Sequence, residues 1–444
     1  MQPPRRARRK ASRRCCAMPD FVPVRQLEVL RRLSDGRQTR IGRLAQSRQG
    51  VFFQYDDAYC REFHNLSPFQ LAFDTRLQGA PRQPHNGLHG LFADSLPDGW
   101  GLMLMDRLFR QHGISPHDVT PMDRLAFVAE HGMGALSYRP ASELVDYAES
   151  APWSSLGELG EQARRLFEGQ TDTVLTALAQ AGSSGGARPK VQVYLSPNVT
   201  DLASTHPREG LEPWLVKFTS NALALGHEEG LCEAAYLTLA RHAGIETPEW
   251  KLIPPPEDSP ALAWLALRRF DCSEQGRYHM SSACGLLDAD FRSPSLDYED
   301  LIKAGQVLCR KPAVGKALFR RAMFNLFACN QDDHSKNWAF LLDDEGQWSP
   351  TPGYDLTFSP SPYGEHATAF KGHGRNPPLK AVQALAEQAG FTRWSEARQA
   401  IEKVVMAVSG WDTVAKELGV STQTRREIQR RLCAIQKENR PLWG

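Results

Sequence analysis

The segment from Asn330 to Asn337 consists of eight consecutive polar residues. It lies between two largely apolar segments, residues 324–329 before it and 338–342 after it. Such apolar neighbours are expected to be buried. Polar groups placed between them are costly unless they are hydrogen-bonded or form a site. The sequence therefore predicts a functional site here, held between two elements of a folded core.

Length and composition indicate a globular chain of more than one unit. With 444 residues and a mass of 49.6 kDa, two or three packed units are expected. Hydrophobic residues make up 41% and charged residues 23%, which excludes a disordered, collagen-like or coiled-coil protein. No apolar run reaches the roughly 18 residues of a membrane span. The nine cysteines are scattered without a CxxC pair, which favours reduced thiols in a cytoplasmic protein.

The net charge of +2 hides an asymmetry between the N-terminus and the rest of the chain. Residues 1–16 hold seven basic residues and no acidic one, which leaves 46 basic against 51 acidic residues elsewhere. The folded part is therefore not expected to bind nucleic acid through its bulk charge. Residues 1–17 lack the apolar segment of a secretory signal. They are predicted to form a disordered basic tail or to result from a misassigned start upstream of Met18, in preference to an extension that contacts phosphate backbones.

The hydrophobic pattern predicts a chain of mixed α and β structure. Short apolar runs bounded by turn residues predict strands at 42–44, 50–55, 191–195, 214–218, 263–270 and 338–342. Helical spacing predicts helices at 102–109, 143–181 and 228–242, and a mainly helical chain after 297. Asp98 precedes the first of these helices, where its side chain is predicted to act as a cap.

A glycine-rich segment precedes two of the predicted strands. This segment, Gly185 to Lys190, is called the Gly loop below, and the second strand after it carries a single lysine, Lys217. Protein kinases cover the phosphates of ATP with a Gly-rich loop and a strand lysine in this order. Glu233, on the next predicted helix, is placed to hold that lysine as an ion pair. A surface turn, a lysine reaching solvent and a solvated helix face are the structural alternatives.

The polar segment itself contains a spacing that is typical of kinases. Asp332 and Asn337 reproduce the Asp-x-x-x-x-Asn arrangement of a kinase catalytic loop. In that loop the aspartate accepts the proton of the substrate hydroxyl and the asparagine binds Mg²⁺. Asp355 follows after a predicted hairpin and would supply a second hard oxygen ligand for Mg²⁺.

The polar segment is also compatible with other interpretations. Asp333 and Lys336 would also fit an exposed turn pair, and His334 a core histidine bonded to the backbone. A zinc site is excluded because no cysteine or second histidine lies at ligand spacing. A hydrolase triad is disfavoured because no Gly-x-Ser-x-Gly motif accompanies the histidine. The order of Gly loop, lysine, glutamate, Asp-x-x-x-x-Asn and aspartate favours phosphoryl transfer.

Taken together, these motifs resemble the HipA family, serine/threonine-kinase toxins of bacterial type II toxin–antitoxin systems. The matching stretches lie at 96–101, 133–136, 185–190, 214–218, 269–271, 330–337, 354–357 and 364–366. They span about residues 40 to 375, which is most of the chain. The stretches at 96–101 and 330–337 are distinctive of this family.

The resemblance implies an α+β fold with a protein-kinase-like bilobal core, a β-rich N-lobe and a helical C-lobe, beside a small β-rich N-terminal subdomain. Asp332 would be the catalytic base, and Asn337 and Asp355 would hold Mg²⁺. Lys217 and the following residues would bind ATP: Gly185, Gly186, Ala187, Arg188, Pro189, Lys190, Arg268, Arg269, Phe270, His334, Ser335, Lys336 and Tyr354. Within this set, the backbone of Arg268 to Phe270 would face adenine.

The same resemblance implies regulation and partners. Autophosphorylation would occur just before the Gly loop, at Ser183 or the adjacent Ser184. A phosphoserine would add about −1.5 to −2 charge to a loop that must fold over the phosphates of ATP. The partners would be a protein substrate, such as a translation component, and a small helix-turn-helix antitoxin of the HipB type, through which DNA is contacted indirectly. No membrane partner is expected.

Four units and two principal functions follow from these observations. The expected units are a tail (1–17), an N-terminal subdomain (18–145), an N-lobe with the Gly loop (146–275) and a C-lobe with the catalytic loop (276–444).

The first function is a cytoplasmic, ATP- and Mg²⁺-dependent kinase that arrests growth. The alternative is a catalytically weak or inactive module that acts as partner or corepressor of a DNA-binding antitoxin. A kinase-like fold acting on a small molecule is a third option.

Overall fold

The computed structural model describes residues 21–142, 154–174, 176–180, 185–197 and 202–444. The predicted tail at 1–17 and the predicted modification sites Ser183 and Ser184 lie outside these ranges. Among the described residues, no helix has both the length and the apolar composition needed to cross a bilayer.

The N-terminal part is built on an antiparallel sheet of five strands in the order β4-β3-β2-β1-β5. Its strands are β1 (Gln26–Arg32), β2 (Gln38–Ser47), β3 (Gly50–Tyr55), β4 (Gln78–Gly79) and β5 (Leu136–Arg139). Every second residue of β3 is buried, as expected for a sheet with one face on a core. Between β3 and β5 the chain forms the helices α1 (Asp57–Glu62), α2 (Gly90–Ala93), α3 (Gly99–Gln111) and α4 (Pro121–Val128).

The middle part contains a six-stranded sheet in the order β10-β11-β9-β7-β8-β6. Its strands are β6 (Ser154–Ser155), β7 (Lys190–Leu195), β8 (Leu202–Ser204), β9 (Glu212–Lys217), β10 (Trp250–Ile253) and β11 (Trp264–Arg268). Strand β9 pairs antiparallel with both β7 and β11, which sets Lys217 opposite Lys190 and Leu265. The predicted helix at 143–181 is described only in part, as α5 (Leu156–Phe167) and α6 (Thr176–Gln180).

Helix α7 (Glu229–His242) follows a short 3-10 turn, Gly226–Glu228, and matches the helix predicted at 228–242. Nearly all of its residues are buried, which is typical of a helix in the interior of a protein. It packs against β10 and β11 on one side and against the C-terminal helices on the other. The helix thereby fixes Glu233 next to the sheet that carries Lys217.

The C-terminal part is mainly helical. Its helices are α8 (Ala283–Leu287), α9 (Tyr298–Cys309), α10 (Pro312–Phe327), α11 (Leu379–Gln388), α12 (Trp394–Ser409), α13 (Trp411–Glu417) and α14 (Thr422–Glu438). A small antiparallel sheet is formed by β12 (His279–Ser282), β14 (Ala339–Leu342) and β15 (Trp348–Pro350). Strands β13 (Leu296–Asp297) and β16 (Thr368–Ala369) form a parallel pair. Further 3-10 turns lie at Ser335–Asn337 and Arg440–Leu442.

Apolar side chains from separate parts of the chain share common cores. One cluster joins buried residues of β1, β2 and β3 with those of α7, α9, α10, α12 and α14. A second cluster lies between the six-stranded sheet and α5, and it includes Trp100 and Leu104 of α3. The N-terminal part therefore packs on both of the other parts. The predicted α+β fold, with a β-rich N-terminal region and a helical C-terminal region, is confirmed.

Candidate functional site

Lys217 lies at the C-terminal end of β9, where it contacts two carboxylates. Its Nζ lies 2.5 Å from Oε1 of Glu233 on α7 and also donates a hydrogen bond to Oδ1 of Asp355. Burial lowers the pKa of Lys217, but Asp355 and Glu233 outweigh this effect and raise the pKa above its ordinary value. Burial raises the pKa of Asp355, but Lys217 outweighs it and holds the pKa well below its usual range. Lys217 and Asp355 are therefore both charged at neutral pH.

The polar segment 330–337 connects α10 to β14 and contains a short 3-10 turn, Ser335–Asn337. The side-chain amide of Asn337 donates to the backbone carbonyl of Asp332 at 2.6 Å, which fixes the two residues relative to each other. The carboxylate of Asp332 is held less tightly, because 63% of its side chain is exposed and His334 Nε2 lies 3.7 Å from its Oδ1. The carboxylate is thus open to a substrate that approaches from solvent.

Asp333, the next residue, is fully buried and holds this segment in place. Its carboxylate accepts hydrogen bonds from the hydroxyl of Tyr298 and from the backbone N–H groups of Ala367 and Thr368, the last two at 2.8 and 3.2 Å. His366 Nδ1 lies 2.8 Å from Oδ2. The interpretation of Asp333 and Lys336 as an exposed turn pair is wrong, because Asp333 is buried and Lys336 pairs with Asp98.

One cleft brings together many of the residues predicted to bind ATP or Mg²⁺. The predicted residues that line it are Gly185, Gly186, Arg268, Arg269, Phe270, His334, Lys336, Asn337, Tyr354 and Asp355. The other described residues with a predicted role do not line it, namely Ala187, Arg188, Pro189, Lys190, Lys217, Glu233, Asp332 and Ser335. Apolar residues without a predicted role complete the walls, among them Leu96, Met133, Leu215, Pro248, Leu267 and Met280. Apolar walls with a few polar groups are typical of small-molecule sites.

The donor set of this cleft fits a metal ion that is shared with phosphate. The described residues contain no cluster of three His, Cys, Asp or Glu side chains able to hold a metal by themselves. Asn337 and Asp355 nevertheless line the same cleft, and both offer hard oxygen atoms. Mg²⁺ is commonly bound through one or two such side chains together with substrate phosphates. Asp355 has a φ of 50°, an uncommon backbone conformation that is found disproportionately at functional sites.

The end of β11 offers fewer backbone groups than the sequence predicts. The N–H groups of Arg268 and Arg269 donate to the carbonyls of Glu249 and Pro213 at 2.8 and 3.0 Å. These two N–H groups are therefore occupied within the sheet, and the proposal that the backbone of Arg268 to Phe270 faces adenine stays a prediction for the remaining groups. Because a proline has no N–H, Pro213 cannot return a hydrogen bond to the Arg269 carbonyl. In the described part of the chain, that carbonyl and the N–H of Phe270 have no hydrogen-bond partner.

The side chains of the same arginines are also occupied. Arg268 forms ion pairs with Glu212 and Glu249 at 3.2 and 3.1 Å. Arg269 is buried and lies 2.6 Å from Asp271. Both guanidinium groups are therefore engaged in ion pairs within the protein. What remains for an adenine ring at this end of the cleft is the Arg269 carbonyl, the Phe270 N–H and the apolar wall.

Within the Gly loop, several side chains bond to the protein itself. Lys190 Nζ donates to the carbonyl of Gly185 at 2.7 Å, and the guanidinium of Arg188 lies 3.3 Å from Glu229 on α7. Burial lowers the pKa of Lys190, and nearby Lys217 acts in the same direction. Gly186 has a φ of 107°, a backbone conformation that residues other than glycine rarely adopt. The loop is therefore folded onto the sheet and onto α7.

Two protein-family models match the chain, one in its N-terminal part and one in its C-terminal part. The model described as HipA-like C-terminal domain matches residues 182–411, and the model described as HipA N-terminal domain matches residues 36–139. The chain belongs to the HipA family. The family predicted from the sequence motifs is thus confirmed. No curated protein matches the chain in the corresponding search.

Two solved structures are similar to this HipA-family chain. The HipA–HipB–operator DNA complex of Shewanella oneidensis MR-1 contains a chain that matches with a TM-score of 0.66 and 17% identity, over 93% of this chain and 97% of that one. The proinflammatory kinase CtkA of Helicobacter pylori gives a TM-score of 0.37 and 11% identity, over 58% of this chain and 92% of that one. The first similarity shows a shared overall fold.

One residue of this HipA-family site has a role that the sequence did not predict. The expectation that the Asp98 side chain caps α3 is wrong, because that side chain makes no capping hydrogen bond. It contacts the Gly loop at Gly186 and the polar segment at Lys336. A turn residue before a helix is the usual signature of a cap, so local sequence gave no signal for this contact. The predicted modification sites, Ser183 and Ser184, lie outside the described residues.

Proposed function

We propose that this HipA-family chain is an ATP- and Mg²⁺-dependent protein serine/threonine kinase. The observation that carries the proposal is the contact of Lys217 with Glu233 and Asp355 beside the cleft. Protein kinases require an ion pair between a strand lysine and a helix glutamate, together with an aspartate that holds Mg²⁺. The three residues come from a strand, a helix and a loop in the kinase order, which makes a purely structural ion pair the weaker explanation.

Each residue would have a defined part in phosphoryl transfer. Asn337 and Asp355 would hold Mg²⁺, which when bound neutralises charge on the phosphate oxygens. Lys217 orients Asp355 and adds positive charge next to the place where phosphate would bind. Asp332 would accept the proton of the attacking hydroxyl, and Asn337 fixes the backbone carbonyl of Asp332 at 2.6 Å. Apolar walls formed by residues such as Leu215 would exclude water from the adenine ring.

The exposure of Asp332 favours a macromolecular substrate. With 63% of its side chain exposed, its carboxylate can receive a serine or threonine hydroxyl carried on a protein surface. Autophosphorylation at Ser183 or Ser184 is proposed on a separate ground, which is that both serines directly precede the Gly loop in sequence. An antitoxin partner of the HipB type is supported by the similar HipA, which was solved together with HipB and operator DNA. Growth arrest through a phosphorylated cellular protein completes the proposal.

Incubation of the purified protein with labelled ATP and Mg²⁺ tests this function. The wild type is expected to become labelled, and Asp332→Ala is expected to lower the labelling rate by about a hundredfold or more, because it removes the general base. Asp258→Ala, which changes an exposed aspartate that does not line the cleft, is the matched control and should label at the wild-type rate.

Two results would contradict the proposal in different ways. Equal labelling of wild type and Asp332→Ala would remove Asp332 as the base. A wild-type protein that is neither labelled nor stabilised against heat by Mg²⁺-ATP would remove the kinase activity itself. That second result would leave the alternative, in which the chain works as a partner or corepressor of a DNA-binding antitoxin.

A further inference from the structure

Asp98, at the start of α3, joins two segments that are far apart in the chain. Its Oδ1 accepts a hydrogen bond from the backbone N–H of Gly186 in the Gly loop. Its Oδ2 lies 2.7 Å from Nζ of Lys336, three residues beyond the buried Asp333 of the polar segment. One carboxylate of the N-terminal part thus bridges the loop and the segment that would enclose the nucleotide phosphates.

The two residues after Asp98 hold the same loop. The backbone N–H of Trp100 donates to the carbonyl of Gly186 at 3.0 Å, and its indole N–H donates to the carbonyl of Lys190 at 3.0 Å. Gly99, with a φ of 42°, approaches so closely that an added Cβ would lie 2.7 Å from the Gly186 carbonyl oxygen. The Gly loop is therefore attached to α3 near both of its ends.

The bridging carboxylate is nearly buried and charged. Only 9% of the Asp98 side chain and 17% of the Lys336 side chain are exposed. Burial raises the pKa of Asp98, but the charge and hydrogen bond of Lys336, together with the Gly186 N–H, outweigh it and lower the pKa. A charged hydrogen bond of this kind is stronger than a neutral one and more demanding in geometry.

The position of Asp98 relative to the cleft identifies its role. Gly185, Gly186 and Lys336 line the cleft, whereas Asp98 is absent from the described residues that line it. A carboxylate inside a phosphate site that holds no metal ion would repel the nucleotide, but a carboxylate behind the walls can orient them without touching it. We propose that Asp98 is a positioning residue, which fixes the Gly loop and Lys336 in the arrangement that binds nucleotide phosphates. The proposal rests on the proposed function in that it takes the cleft to bind ATP.

Hydrogen exchange and nucleotide binding together test this role. Asp98→Asn keeps the shape of the side chain but removes the charge that pairs with Lys336. We expect its Kd for Mg²⁺-ATP to rise about tenfold, as is typical when a group supporting a site is lost. Amide exchange across residues 185–190 of the nucleotide-free protein should become faster, because the Gly186 N–H loses a charged acceptor.

The control is Asp123→Asn, a buried aspartate of the same N-terminal part. Its carboxylate accepts from the backbone N–H groups of Val24 and Thr120 at 2.7 and 2.8 Å and does not contact the Gly loop. This variant is expected to lower the melting temperature while leaving the Kd and the exchange of residues 185–190 unchanged. A merely structural role of Asp98 would give the same result as this control.

The proposal is overturned if Asp98→Asn binds Mg²⁺-ATP with the wild-type Kd and exchanges residues 185–190 at the wild-type rate. Should Asp98→Asn fail to fold, Asp98→Glu replaces it, since it keeps the charge but adds a methylene, so that the carboxylate can no longer meet the Gly186 N–H and Lys336 in the same geometry. Unchanged exchange in that variant would likewise overturn the proposal, and faster exchange would support it. A wild type that binds no Mg²⁺-ATP overturns the proposed function, while the exchange comparison still decides whether Asp98 holds the loop.

Discussion

His89 and His279 are buried in surroundings that oppose their protonation. Burial lowers the pKa of His89 to about 4 and that of His279 to about 3. In His279 the ring Nε2 lies 3.3 Å from the Leu66 carbonyl and Nδ1 has no partner among the described residues. An unfolded histidine has a pKa of about 6.5, so below that pH the unfolded chain binds protons that the folded chain does not.

The free energy of unfolding should therefore be highest above pH 6.5 and fall as the pH is lowered towards 4. Each of the two histidines contributes on the order of 1 kcal/mol per pH unit to the slope of the free energy of unfolding against pH. In His279→Gln the residue cannot gain a proton, so the slope between pH 6 and 4.5 is expected to be shallower by that amount. Urea unfolding at a series of pH values measures it. Exposed His117, replaced by Gln, is the control, and a His279→Gln slope equal to the wild type would contradict the prediction.

Asp332 and Asp333 show how differently two adjacent residues of one type can be used. The side chain of Asp332 is 63% exposed, whereas that of Asp333 is fully buried and its carboxyl oxygens are surrounded by hydrogen-bond donors. Sequence spacing singled out Asp332 because it lies five residues before Asn337. Asp333 could not be recognised from spacing, since its partners Tyr298 and His366 come from distant segments.

At the scale of elements, short apolar runs were the most predictable part of the fold. The strands predicted at 191–195 and 214–218 form β7 and β9. Each apolar run is bounded by turn residues and forms a central strand of the six-stranded sheet. The contact between Asp98 and Gly186 could not be predicted in the same way. It spans 88 residues, and both of its segments carry local turn signals that conceal a long-range partner.

Helices α2 and α8 meet at two glycines, and this contact joins the N-terminal part to the C-terminal part. An added Cβ at Gly90, the first residue of α2, would lie 2.1 Å from the carbonyl oxygen of Gly285 on α8. Beside it, the carboxylate of Asp94 accepts hydrogen bonds from the N–H and hydroxyl of Ser282 at 2.7 and 2.6 Å. The backbones can approach this closely only because neither glycine carries a side chain.

Gly90→Ala is therefore expected to lower the free energy of unfolding by about 1–3 kcal/mol, the usual cost of overpacking. The midpoint of urea unfolding measures this change. Gly79→Ala is the matched control, because its Cβ would make an ordinary contact of 3.4 Å with Phe52. The control should remain within about 1 kcal/mol of the wild type. Equal effects of the two substitutions would show that α2 and α8 are not in tight contact.

At the scale of the whole molecule, a buried charge connects the N-terminal sheet to the hairpin of β14 and β15. Arg31 on β1 is fully buried, and its guanidinium lies 3.0 Å from Asp344 Oδ1 and 2.9 Å from the Asp343 carbonyl oxygen. Asp344 also accepts hydrogen bonds from the N–H and hydroxyl of Ser34 at 2.8 and 2.6 Å. Because the N-terminal sheet and the C-terminal part also share an apolar cluster, we expect these two parts to unfold in one cooperative transition.

The two partners of this ion pair should differ in the cost of their removal. Asp344→Asn leaves the Arg31 charge buried without its counter-charge, which costs about 3–5 kcal/mol. Arg31→Met leaves Asp344, whose side chain is 20% exposed and still bonded to Ser34, so water can compensate part of the loss. Asp344→Asn is therefore expected to be the more destabilising variant. Urea unfolding is followed by both far-UV circular dichroism and tryptophan fluorescence, and the two signals should give one coincident transition for each variant. Two separated transitions would contradict this interface. A larger loss of unfolding free energy in Arg31→Met than in Asp344→Asn would contradict it as well.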